Sequence, residues 1–79
     1  MIFVYIIESK IDKSRYIGAT ADLKKRLREH NSGLSKYSSS KLPFKLIWCC
    51  IFQDKKKAYD FERYLKSSSG YAFTKKHLI

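Results

Sequence analysis

Seventy-nine residues, 44% of them hydrophobic and 15% aromatic, supply one small core and exclude a second domain on length, so residues 1–79 are expected to form one unit. Seventeen Lys and Arg against seven Asp and Glu leave a net charge of +10, which favours a polyanionic partner, nucleic acid ahead of an anionic membrane surface. No apolar run reaches the ~20 residues of a membrane-spanning helix, and Met1–Ile7 lacks the flanks of a signal peptide, so an intracellular, cytoplasmic location is expected.

Ile2–Ile7 is an unbroken β-branched and aromatic run, the pattern of a strand covered on both faces. A polar turn over Glu8–Ser14 leads to a second strand at Arg15–Ala19, and the short connection predicts an antiparallel hairpin that brings Tyr5 near Tyr16. Thr20 is the expected N-cap of a helix over Ala21–Asn31, with Asp22 in its first turn and Gly33 as its stop. Leu23, Leu27 and His30 fall on one stripe, and Arg26 stands one turn before His30.

Ser32–Leu42 reads as a long exposed loop closed by Pro43, and Phe44–Phe52 as a third strand with Leu46, Ile47, Trp48 and Ile51 as its bulk. The neighbouring Cys49 and Cys50 would point to opposite faces, as reduced packing residues. Asp54 opens a helix over Lys55–Lys66 whose apolar stripe is Ala58, Phe61 and Leu65. Glu62 shares that face, a costly place for a carboxylate unless it is paired or bound to a cation. After Ser67–Gly70, Tyr71–Leu78 is expected to form a last short helix; His77 is assigned no chemistry.

Two phenols beside a guanidinium and an imidazole, in so basic a chain, suit chemistry on a phosphate ester. Each residue alone has a plainer reading: a tyrosine packing in a strand, a solvated arginine, a half-buried histidine. In order along the chain, Val4-Tyr5-Ile6, Tyr16-Ile17-Gly18, Arg26, His30 and Glu62 resemble the GIY-YIG nuclease superfamily, in particular its small single-domain, UvrC-like members. The resemblance spans nearly the whole chain. It implies an α/β (α+β) fold with a three-stranded antiparallel sheet flanked by helices, order β-β-α-β-α-α, which the elements above follow independently.

The resemblance further implies cleavage of nucleic-acid phosphodiesters, DNA as the leading substrate, with weak sequence preference, Tyr5, Tyr16, Arg26, His30 and Glu62 as the site, and Mg²⁺ or Mn²⁺ held by Glu62. In such a site a phenol among cations acts as general base, and which of Tyr5 and Tyr16 does so stays open. Arg26 would grip the scissile phosphate through its planar fork. Lys24, Lys25, Arg28, Lys36 and Lys41 are candidate contacts to the phosphate backbone. Val4 stands where the family name has glycine, and no asparagine follows Asn31, although many catalytic members carry one after the glutamate. A non-catalytic nucleic-acid-binding module on the same fold is therefore the alternative, and a monomer is the default state.

Overall fold

In the computed structural model, which describes residues 1–32 and 41–79, the chain forms β1 (Ile2–Ser9), β2 (Arg15–Thr20), α1 (Leu23–Asn31), β3 (Phe44–Phe52), α2 (Lys55–Leu65) and α3 (Ser68–Phe73). A single π-helical turn, Thr74–Leu78, continues α3. The sheet is antiparallel with strand order β2-β1-β3, so the most apolar strand lies in the middle. The expected order β-β-α-β-α-α and the α+β class are both present.

Because β1 is central, successive side chains feed two different cores. Val4 packs with Ala58 and Leu65 of α2. Tyr5 and Ile7 pack with Phe44, Tyr16, Leu23 and Leu27. Val4, Tyr5, Ile6 and Ile7 are all buried, as a strand covered on both faces requires. The ladder with β3 shifts register between Ile6 and Ile7, where Trp48 and Leu46 are the partners and Ile47 is the extra residue of a bulge. As an edge strand, β3 exposes Leu46 and Ile51, two of the residues expected to supply its bulk.

The hairpin is longer than its apolar pattern implies, because Glu8 and Ser9 remain in β1. Ser9 is fully buried; its Oγ donates to Lys41 O at 2.6 Å and accepts from the amides of Ile11 and Asp12 at 3.1 and 3.3 Å. Those bonds, with Lys10 N donating to Pro43 O at 2.9 Å, tie the β1–β2 turn to the segment that leads into β3. Lys13 takes a left-handed φ of 64° in this turn.

Two helix starts differ from expectation. Asp22, rather than Thr20, caps α1 by accepting from Lys25 N at 3.1 Å, while Thr20 Oγ1 accepts from Asp22 N and steadies the cap itself. The final helix begins at Ser68 rather than Tyr71, since Ser67 Oγ accepts from Gly70 N at 3.1 Å and makes the serine run a cap and first turn. Gly70 is buried against the end of α2; a Cβ built there would overlap the Tyr64 carbonyl oxygen, so only glycine permits this approach. Asp54 caps α2 as expected, accepting from Lys56 N and Lys57 N.

Candidate active site

Four of the five expected site residues meet on the α1 face of the sheet. In the hairpin register Tyr5 lies opposite Gly18 and Tyr16 opposite Ile7, so the two phenols share a face two pairs apart. A Cβ on Gly18 would collide with the Tyr5 hydroxyl and stand 2.6 Å from Cζ. The Tyr5 ring therefore crosses the bare glycine backbone, which is the local reason for glycine after Tyr16-Ile17.

His30 arrives from the last turn of α1. Its Nε2 is 3.0 Å from the Tyr5 hydroxyl, and its ring lies 6.0 Å from the Tyr5 ring and 6.4 Å from the Tyr16 ring, centroid to centroid. Burial first, and the positive charge of Arg26 second, lower the His30 pKa below its ordinary value; Glu29 opposes them. The imidazole is thereby biased to its neutral form, with one ring nitrogen able to accept a proton. Arg26 faces the same phenol: hydrogen bonding and charge interaction with Tyr5 raise its guanidinium pKa, and Glu29 Oε1 accepts from Nη1 at 3.4 Å.

No residue of α1 is fully buried, so polar clamps supplement the packing of Leu23 and Leu27 in holding the helix. Asn31 makes the strongest of these, as its Oδ1 accepts from Phe44 N at 2.8 Å and its Nδ2 donates to Phe44 O at 3.2 Å. The side-chain amide acts as one residue of extra strand, anchoring the residue after His30 to the start of β3. Phe44 in turn lies edge-on to Tyr16 at 5.4 Å.

Glu62 lies on α2, the helix that packs on the opposite face, and is half-buried rather than buried. Its Oε2 accepts from Lys66 Nζ at 2.8 Å, whereas Oε1 has no partner among the described residues. α2 reaches the α1 side at the edge of β2, where Tyr59, one turn before Glu62, joins Arg26, Glu29 and the β2–α1 junction in lining a groove of about 320 Å³. No group of three or more His, Cys, Asp or Glu is placed to hold a metal among the described residues. A cation here would have one carboxylate and otherwise water or phosphate oxygens, a set that suits Mg²⁺ or Mn²⁺.

Among the expected phosphate contacts, Lys24, Lys25 and Arg28 are exposed along α1. Lys41 is engaged instead, 3.3 Å from Asp12 Oδ2 and 3.4 Å from Ser14 Oγ. Lys36 and most of the expected 32–42 loop lie outside the described residues. Cys49 and Cys50 are free thiols; Cys50 packs on the Val4 side, and burial pushes its pKa up. No described helix is long and apolar enough to cross a membrane.

Sequence reasoning missed Glu29, Asn31 and Tyr59. Glu29 was readable from its i, i+3 spacing to Arg26. The other two act across the fold, and no local pattern marks them.

Relatives place this geometry in a family. The chain is 40% identical over 67 residues to the UPF0213 protein CPE1444 of Clostridium perfringens (strain 13 / Type A), covering 84% of this chain and 71% of the relative. A UPF0213 protein of Streptococcus pneumoniae serotype 4 is 43% identical over 65 residues, 81% of this chain and 65% of the relative. The chain thus spans about two thirds of the length of these relatives. The solution NMR structure of the UPF0213 protein BH0048 from Bacillus halodurans superposes with a TM-score of 0.59 at 34% identity, covering 96% of this chain and 84% of that one. The family profile described as the GIY-YIG catalytic domain matches residues 1–76, and the chain belongs to that family.

Proposed function

We infer that the chain is a metal-dependent endonuclease that hydrolyses nucleic-acid phosphodiester bonds, DNA first among them, with weak sequence preference. The observation that carries this reading is the Tyr5 hydroxyl held 3.0 Å from His30 Nε2 while it also faces Arg26. A neutral imidazole accepts the phenol's proton as the phenol takes one from an attacking water, so protons pass from water to Tyr5 to His30. Tyr16, beside His30, orders the water side of the relay. Arg26 offers the scissile phosphate a charge-assisted fork, and Glu29 steadies that fork from behind. Attack on phosphorus forms one P–O bond as the bond to the 3′ oxygen breaks, and that oxygen leaves with a proton from solvent.

Glu62 would hold the divalent cation through its free Oε1, and the bound ion supplies Lewis-acid stabilisation of the phosphoryl oxygens. The outward lysines of α1 fit a duplex or single strand lying along that helix. The defining experiment incubates purified protein with Mg²⁺ or Mn²⁺ and duplex, branched and single-stranded DNA. Cleavage that disappears in Glu62→Ala, with binding retained, supports the reading; intact DNA under every condition sinks it.

One observation favours a second reading. Lys66 already satisfies one oxygen of Glu62 at 2.8 Å, as it would in a nucleic-acid-binding module that had lost the metal. In that case Glu62→Ala alters neither cleavage nor binding.

A further inference from the structure

A second cavity of about 630 Å³ opens at the hairpin end of β2, on the α2 side of the sheet. The relay between Tyr5, His30 and Arg26 does not account for it. Its apolar wall is Ile6, Ile17 and Leu65, its cations are Lys13, Arg15 and Lys66, and Tyr71 stands at its edge, 65% exposed. Lys66 is engaged by Glu62, whereas Arg15 and Lys13 are presented to the cavity. Arg15 uses only Nε toward Glu8, 3.1 Å away, which fixes the guanidinium and leaves both terminal nitrogens without a partner among the described residues. Lys13 makes no ion pair among the described residues and sits at the left-handed corner of the hairpin.

An exposed ring, an apolar wall and a fork beside a free ammonium fit one ligand chemistry: a planar base joined to a phosphate. The volume exceeds that of a single nucleotide, and base pairing would keep a duplex base from reaching the ring. Lys66 also lines the cavity, so it adjoins the ion pair on Glu62, and Tyr16, whose ring lies on the opposite face, belongs to the strand that forms its wall. We propose that this cavity is a subsite for one unpaired nucleotide of a nucleic-acid strand, its base stacked on Tyr71 and its phosphate held by Arg15 and Lys13. The proposal rests on the nucleic-acid reading above, and it makes the protein a reader of unpaired strand beside the cut.

The test uses the whole protein without added metal, so binding is read apart from cleavage. Fluorescence anisotropy compares a labelled oligothymidylate with a duplex of equal length. Single-strand affinity exceeds duplex affinity, and Tyr71→Ala lowers it about tenfold while leaving the duplex unchanged. Tyr71→Phe retains the binding, because the ring and not the hydroxyl carries the stacking. Lys13→Ala reduces the salt slope of single-strand binding by about one, and Lys55→Ala, on an exposed lysine at the start of α2, leaves the strand preference intact. An unaltered melting temperature checks the fold of each variant. In methyl spectra with thymidine monophosphate, Ile6, Ile17 and Leu65 shift.

Equal loss on single strand and duplex in Tyr71→Ala, no loss on either, or nucleotide shifts confined to Leu23 and Leu27 overturns the proposal. If cleavage depends on Glu62 while Tyr71→Ala changes nothing, the subsite fails and the nuclease reading stands. If no DNA is cut while the Tyr71-dependent strand preference holds, the reverse is true.

Discussion

Val4 and Tyr5 are neighbours in β1 and both are buried, yet they belong to different parts of the molecule. Val4 meets Ala58 and Leu65, two buried residues of an eleven-residue helix with an aspartate cap. Tyr5 meets a nine-residue helix with no buried residue, held by the Asp22 cap and the Asn31–Phe44 clamp. One face is stabilised by apolar burial, which is tolerant of small displacements. The other adds to its own apolar cluster a set of directed polar contacts, which fail when an atom moves by an ångström. The comparison teaches that the α2 core and the proposed Tyr5–His30 relay lie on opposite sides of one strand and should separate under mutation, with Glu62 the one proposed site residue on the α2 side.

The largest separation is expected from Tyr5→Phe. Removing the hydroxyl ends the contact with His30, and cleavage should fall by about 100-fold or more, the usual scale of general acid–base catalysis. The same change removes one hydrogen bond and should cost only about 1 kcal/mol of stability by denaturant melting. A stability loss several times larger would place Tyr5 among the structural residues and erase the contrast.

The mirror experiment is Leu65→Ala, which empties a fully buried position on the α2 face. It should destabilise the fold by about 2–5 kcal/mol, while the folded fraction keeps its kcat, because the Tyr5–His30 contact is untouched; any effect through the wall of the proposed subsite appears in KM. Gly18→Ala tests the seam between the faces. The new Cβ must displace the Tyr5 ring, so a stability loss of about 1–3 kcal/mol should accompany a drop in cleavage, and both appear together only if the ring lies over the glycine in solution.

Much of this division was written in local pattern. The unbroken run Ile2–Ile7 required cover on two sides, and the spacing of Leu23, Leu27 and His30 required α1 to bring its imidazole toward the sheet. Arg26 and His30 were readable because both sit on one helix, and Tyr5 and Tyr16 because one short hairpin joins them. Pattern failed where a polar side chain acts far along the chain. Asn31 looks like an ordinary helix end until its amide is seen on Phe44, thirteen residues on. Glu62 looked buried because periodicity cannot tell the rim of a helix stripe from its centre, and the rim is where Lys66 reaches it. That Leu46 and Ile51 are exposed was not legible, because an apolar edge strand and an apolar central strand read alike.

The smallest expected effect is the most specific to the chemical face. His30 has a lowered pKa in the folded protein, so between the folded value and the unfolded value of about 6.5 the unfolded chain binds the extra proton. The stability that neutral His30 contributes is therefore complete above about pH 6.5 and is lost as pH falls through the folded value. The acid limb of kcat/KM should lie below pH 6.5 for the same reason, since an imidazolium cannot accept from Tyr5. Arg26→Gln removes the second cause of the shift and leaves Glu29 unopposed by that charge, so the His30 midpoint should rise. Glu29→Gln removes the opposing charge and should move the midpoint down. Both are read from the His30 ring-proton titration of the protein without metal or substrate, which keeps the measurement independent of turnover. Shifts of opposite sign put His30 in the electrostatic field of both side chains in solution. Two shifts of the same sign, or none, would mean that burial alone sets the imidazole and that α1 does not hold its charges around Tyr5.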